Sequence, residues 1–194
     1  GTLYGRNSIG GAVNVISKRP TRDFVVEARA GVNDYRLFSG AASLSGPISE
    51  ALRFRVAAIG VTQDKGYVEN LAGPDQYRNK LYTLEGQLEA DITPNLNAWV
   101  RVQHTRYDRR PQPNTHIDPY SNVPYFGGLV ANPTFGLTNV SIGNPFLVSY
   151  DYGGRQELKN NLSVSTNITL TTSEVIVRYI GGYAQYDYLQ TRDY

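Results

Sequence analysis

The sequence, 194 residues long, contains no cysteine and no methionine. Without cysteine there can be no disulfide, no thiolate nucleophile and no Cys-ligated zinc or iron–sulfur site. Without methionine, and with Gly1-Thr2-Leu3-Tyr4 in place of the charged and apolar regions of a signal peptide, the sequence reads as internal to a longer chain. Charge is also scarce, at 19% of residues against a usual share of about 25%. The 19 basic and 17 acidic residues give a net charge of +2 and are interspersed, so no concentrated field exists to hold a phosphate backbone, and nucleic acid is not an expected partner. No run approaches the roughly 18 apolar residues of a membrane helix, and the mean hydropathy is −0.39. This excludes a helical membrane protein. It does not exclude a β-barrel, whose strands alternate lipid-facing apolar and lumen-facing polar residues and so average to a mild hydropathy.

What is present in quantity is tyrosine, with 15 residues, glycine, with 19, and a 40% hydrophobic share sufficient for a folded chain. The strongest pattern lies at 80–92, where Tyr82, Leu84, Gly86, Leu88, Ala90 and Ile92 alternate with Thr83, Glu85, Gln87, Glu89 and Asp91. Period two is a strand signal; a helix built from this segment would carry charge all round. The same reading predicts strands at 24–32, 36–45, 52–62, 96–107, 157–170 and 174–188, about seven in series. In the fifth, Ala98, Val100 and Val102 oppose Arg101, Gln103 and Thr105; in the last, Ile176 and Ile180 share a face with Glu174 and Arg178. The connections at 46–50, 93–95 and 171–173 are short and rich in Gly, Pro, Asn, Ser and Thr, whereas of the alternate set, 33–35, 63–79 and 108–156, two of the three are long. Short turns at one end, long loops at the other and strands long enough to cross a bilayer at a tilt are features of outer-membrane barrels. Seven strands do not close an even-stranded barrel, so the expected fold is all-β: part of a larger antiparallel up-and-down transmembrane barrel.

The first twenty residues depart from this pattern. Leu3-Tyr4-Gly5 leads into Gly10-Gly11-Ala12-Val13-Asn14-Val15-Ile16-Ser17-Lys18-Arg19-Pro20. Gly5 and Gly10 have phosphate-loop spacing, but Gly11 and Ala12 stand where Lys and Ser or Thr are needed. The stretch, and in particular Leu3, Tyr4, Gly5, Gly10, Gly11 and Asn14, resembles the end of the plug domain of TonB-dependent outer-membrane receptors. The resemblance implies a plug end at 1–20 and the first part of the barrel at 21–194. It implies active uptake of a scarce nutrient, most often a ferric siderophore, driven by an inner-membrane TonB complex that acts on the part of the plug preceding Gly1. It implies a bacterial outer-membrane location among lipid and lipopolysaccharide.

No cofactor and no enzymatic constellation is expected. His104 and His116 are the only histidines, without ligands at recognisable spacing, and read as solvated loop or rim residues. Glu85 and Glu89 read as a solvated pore wall, and Tyr67, Tyr77, Tyr82 and Tyr183 as an interfacial aromatic girdle. The N-x-[ST] matches at Asn139, Asn161 and Asn167 imply no glycosylation in a bacterial protein. The candidate ligand site is Arg106, Tyr107, Arg109, Arg110, His116, Tyr120, Tyr125 and Phe126, where guanidinium forks and aromatic faces suit an anionic, ring-bearing ligand; contacts with lipopolysaccharide phosphates are the alternative. Two other readings remain: a passive outer-membrane channel, which has no need of the Gly10-Gly11 segment, and a secreted β-sandwich binding module, which would need no detergent.

Overall fold

The computed structural model describes residues 17–70, 74–110, 116–117, 124–126, 129–130, 147–148 and 154–191. Its strands in chain order are β1 (Val25–Asn33), β2 (Leu37–Pro47), β3 (Leu52–Gln63), β4 (Glu69–Asn70), β5 (Asn79–Thr93), β6 (Leu96–Arg109), β7 (His116–Ile117), β8 (Pro124–Phe126), β9 (Leu129–Val130), β10 (Leu147–Val148), β11 (Arg155–Thr171) and β12 (Ile176–Thr191). Seven of them form one sheet in the order β1-β2-β3-β5-β6-β11-β12, every pair antiparallel. This is the expected up-and-down meander. The long loops differ from expectation in carrying strands of their own: β7, β8 and β9 form a small sheet, and β10 pairs in parallel with β4, joining the two long loops. Arg36, predicted to open a strand, lies in the β1–β2 turn with a φ of 51°.

Register explains why one sequence pattern produces two opposite faces. One row runs Val26, Leu44, Val56, Gly86, Val102, Val164 and Tyr183 across all seven strands. The row displaced by one residue runs Val25, Ser45, Arg55, Gln87, Arg101, Ser165 and Gly182. Because side chains alternate across a strand, the first row belongs to an apolar face and the second to a polar one. The ambiguous last strand falls into line: Ile176, Arg178 and Ile180 lie opposite Thr171, Thr169 and Asn167 on the polar face, while Val177, Tyr179 and Tyr183 extend the apolar one.

Burial is inverted relative to a protein folded in water. Ser45 is 0% exposed, Gln87 3% and Arg53 6%, whereas Val26 is 74% exposed, Leu84 53% and Tyr183 58%. Leaving a large apolar side chain in water forgoes roughly 1.5–3 kcal/mol, so a continuous row of them cannot face water on a stable sheet; facing lipid, the same row carries no such penalty. This observation weighs against the soluble sandwich. The described residues contain no helix long and apolar enough to cross a membrane, whereas strands of 9 to 17 residues meet the roughly 9–11 that a tilted crossing strand requires.

Candidate functional site

The residues before β1 lie against the polar face. Ser17 Oγ accepts a hydrogen bond from Arg101 Nη1 at 2.7 Å and donates to Glu85 Oε2 at 3.4 Å. Gln87 Nε2 donates to the Lys18 carbonyl at 3.0 Å, and Gln87 Oε1 accepts from Trp99 Nε1 at 2.9 Å. The Arg19 guanidinium sits 4.1 Å from the Trp99 ring centre. Pro20 is buried. Thr21 N donates to Ser45 Oγ at 2.9 Å, and Ser45 in turn donates to the Phe54 carbonyl at 3.0 Å. Beyond it, Arg22 reaches Asp91 at 3.2 Å, and Asp91 is gripped from the wall by both terminal nitrogens of Arg53, at 2.5 and 3.2 Å. Asn97 Nδ2 bridges Glu89 and Asp91 at 3.2 and 2.8 Å.

Glu85 and Glu89 are thus not a solvated wall. Their side chains are 14% exposed, and they hold Ser17 with Arg101 and Arg53 with Asn97, respectively. Alternation placed them on the correct face, but the contact that closes over Glu85 comes from Ser17, 68 positions away, and Glu89 is covered by the neighbouring-strand residues Arg53 and Asn97.

At the long-loop end, residues 64–70 and 74–78 are tightly built. Gln76 is 1% exposed, its amide N–H donates to the Val68 carbonyl at 2.9 Å, and the two oxygens of Asp75 accept from Gly66 N at 3.2 Å and Asn70 N at 3.3 Å. Lys80, chiefly through its hydrogen bond, and Arg78 beside it hold the Asp64 carboxyl below its ordinary value. The loop presents Tyr67, whose ring packs edge-on against Tyr35 at 4.4 Å and Tyr77 at 6.0 Å. Tyr67 and Tyr77 therefore join the Tyr35 hairpin tip in a three-ring cluster rather than a girdle; Tyr82 and Tyr183 do lie exposed on the apolar face. No periodic signal links Tyr35 to Tyr67, because loop–loop packing leaves none.

The proposed ligand cluster divides along β6. Tyr107 and Arg109 share the polar face, with the Arg109 guanidinium 4.5 Å from the Tyr107 ring and its Nε donating to Asn79 at 3.1 Å. Arg106 lies on the apolar side, opposite Tyr82, and pairs with Glu157 at 3.5 Å. Arg110 closes the strand end through main-chain bonds with Arg78 and Tyr77. His116 pairs with Tyr125 in backbone register, beside Phe126 in β8. Tyr120 lies outside the described residues, as do Leu3, Tyr4, Gly5, Gly10, Gly11 and Asn14. His104 is neither loop nor rim: it is part of β6, on the apolar side opposite Leu84, and hydrogen-bonds Asn160 at 3.0 Å. Asn160 reaches it from a bulge in β11 between Leu158 and Asn161.

No protein-family model matches the chain. Curated proteins do. The ferric-pyoverdine 358 receptor of Pseudomonas putida is 31% identical over 117 residues, 60% of this chain and 14% of the receptor. The ferrioxamine B receptor of Salmonella typhimurium is 31% identical over 144 residues, 69% of this chain and 18% of the receptor. The chain belongs to the TonB-dependent outer-membrane receptors. It spans less than a fifth of the length of the relatives it matches. A chain in the structure of the FpvAI–pyocin S2 complex shares the fold at a TM-score of 0.56, with 16% identity over 80% of this chain and 18% of that one. An open seven-stranded sheet with an exposed apolar face is thus part of an outer-membrane receptor barrel.

Proposed function

We propose that this receptor takes up a ferric siderophore by active transport, with residues 1–20 forming the end of its plug and residues 21–194 the first part of its barrel. One observation carries the gated reading over the passive one: the chain from Ser17 to Arg22 is hydrogen-bonded across the polar face, which in a barrel is the lumen side. A passive channel needs that face open to water. The siderophore assignment is supported by relatives that are receptors for ferric pyoverdine and ferrioxamine B. Ligand would dock at the long-loop end, where the Tyr35–Tyr67–Tyr77 cluster and the Tyr107–Arg109 pair offer stacking faces and cationic donors. A TonB complex acting on the plug would then release the Ser17–Arg22 contacts.

Deleting the energy-transducing protein in the source organism abolishes uptake of the cognate ferric complex while leaving its surface binding intact; unchanged uptake refutes the proposal. In a titration of the whole receptor with candidate siderophores, Arg109→Ala and Arg110→Ala weaken binding. Unaltered affinity in both removes them from the site.

A further inference from the structure

On the polar face, β2 and β3 carry Ala41, Ser43 and Ala57 in the rows where β5 carries Thr83 and Glu85. The wall is therefore thinner there, and β1 adds Glu27 and Arg29 to the same two rows. Lys18, in the segment before β1, reaches across to pair with Glu27. Together they bound a cavity of about 320 Å³, lined among others by Lys18, Glu27, Arg29, Ser43 and Arg55. Its outermost row lies two same-face rows nearer the Ser17–Arg22 segment than the row that holds Arg109.

The charges of this cavity do not balance. Both oxygens of its one carboxylate are engaged by its own lining: Glu27 Oε1 accepts from Lys18 Nζ at 2.5 Å, and Oε2 from Ser43 Oγ at 3.3 Å and Arg55 Nη2 at 3.5 Å. One carboxylate among three cations leaves a net charge of +2. The Arg29 guanidinium has no hydrogen bond or ion pair among the described residues, and Arg55 donates through Nη2 alone although its side chain is only 10% exposed. The residues just before Ser17 do not supply the counter-charge, since positions 1–16 hold neither Asp nor Glu and their one charged side chain is Arg6. A cleft lined by charge of one sign concentrates its field, and guanidinium forks match a carboxylate with two parallel hydrogen bonds. The volume is at the low end of ligand pockets, about 300–1,000 Å³, so it takes one arm of a ligand rather than the whole.

We propose that this cavity is a lumenal carboxylate subsite, formed by Arg29 and Arg55 beneath Lys18, which receives an anionic arm of the transported ligand on its way past the plug. The receptor accordingly favours anionic over cationic ferric complexes. The part played in passage rests on the uptake reading, whereas the affinity for a carboxylate does not.

The test is calorimetric titration of the whole receptor, in non-ionic detergent at low salt, with citrate and with uncharged glycerol. Wild-type receptor binds citrate and not glycerol. Arg29→Gln, which removes a side chain with no partner to lose, weakens citrate binding by about tenfold or more, the worth of a hydrogen bond between charged groups. Ala41→Leu with Ala57→Leu fills the cavity without changing its charge and weakens citrate binding as well, an effect that diffuse attraction would not show. Arg109→Ala leaves this binding in place. Heat-dependent gel mobility verifies that each variant is folded. Absence of citrate binding in the wild type, as when an acidic residue of the upstream chain already occupies the cavity, overturns the proposal. So does binding that survives both the Arg29 and the alanine variants, or that is lost only with Arg109. Citrate binding is read without energy transduction, so its failure removes this subsite alone, and uptake that is independent of the energy-transducing protein removes the uptake reading alone.

Discussion

Replacing Arg53 with Met removes a guanidinium while keeping an unbranched chain of similar reach. The Arg53 side chain is 7% exposed, beside Glu89 at 14% and Asp91 at 31%. Removing one partner from a buried ion pair costs about 3–5 kcal/mol, because the other charge is left uncompensated. Here Asp91 is partly open to the lumen and keeps Arg22 at 3.2 Å and Asn97 at 2.8 Å, so the lower end applies, about 3 kcal/mol. Asp91→Asn leaves Arg53 with Glu89 at 3.6 Å and costs less, about 1.5–2 kcal/mol, the worth of a hydrogen bond to a charged group. The double variant is less damaged than the sum, by a coupling of about 2 kcal/mol, within the range for residues in one network. Urea titration of the folded receptor in detergent micelles, read by heat-dependent gel mobility, supplies all the midpoints. A coupling below about 0.5 kcal/mol refutes the reasoning, since it would make this an exposed pair of little worth.

Ser45→Ala strands the Thr21 N–H beneath buried Pro20 and costs about 1–3 kcal/mol locally; amide exchange of residues 19–22 in the receptor rises by one to two decades, whereas unchanged exchange shows that the Ser45 contacts do not anchor the segment. Gly66→Ala puts a Cβ 1.8 Å from the Gln76 carbonyl oxygen, a collision only backbone movement relieves, so residues 64–78 become protease-sensitive and ligand affinity falls without loss of the barrel; a protected loop at wild-type affinity contradicts this. Asp64 titrates below its ordinary value, so its contribution to holding the loop is complete above about pH 4 and is lost as pH falls through the lowered value. Loop proteolysis should therefore be flat from neutrality to about pH 5; a transition near pH 6 would place the controlling group elsewhere.

How much of this was legible in the sequence follows from which interactions have a period. The Tyr82–Ile92 alternation identifies a strand and sorts its faces because lipid on one side and polar contacts on the other impose the same period two. The same rule separates Arg106 from Tyr107 and Arg109. Grouping them by proximity along the chain overlooked that consecutive strand residues point apart. Other features had no local signal. The β11 bulge that brings Asn160 to His104 interrupts register in the middle of a regular pattern. The Tyr35–Tyr67–Tyr77 packing joins two loops, and the hold of Glu85 and Gln87 on Ser17 and Lys18 spans most of seventy residues. Such contacts depend on tertiary geometry, which a single sequence does not display.

The chemistry of the Ser17–Arg22 contacts bears on why this segment suits a moving part. They are hydrogen bonds, two ion pairs (Lys18 with Glu27 and Arg22 with Asp91) and a cation–π contact on Trp99, and the segment itself contributes no large apolar side chain. Each bond contributes only about 0.5–1.5 kcal/mol net, because water replaces it when it opens, and a partly exposed cation–π contact adds about 0.5–1 kcal/mol. Separation in a wet lumen therefore exposes little hydrophobic surface beyond the Pro20 ring and the Trp99 face, and leaves each polar group with a solvent partner. The wall behaves differently, since its strands are paired along their full length and their apolar side faces lipid, where an unpaired backbone group costs several kcal/mol. A pull on the preceding chain would open the polar contacts one after another, from Ser17 toward Arg22, before disturbing β1. The Arg22–Asp91 pair at the far end adds little resistance, because the Arg22 side chain is 76% exposed, whereas the Arg101–Ser17 bond at 2.7 Å, from a side chain 20% exposed, is the firmer hold.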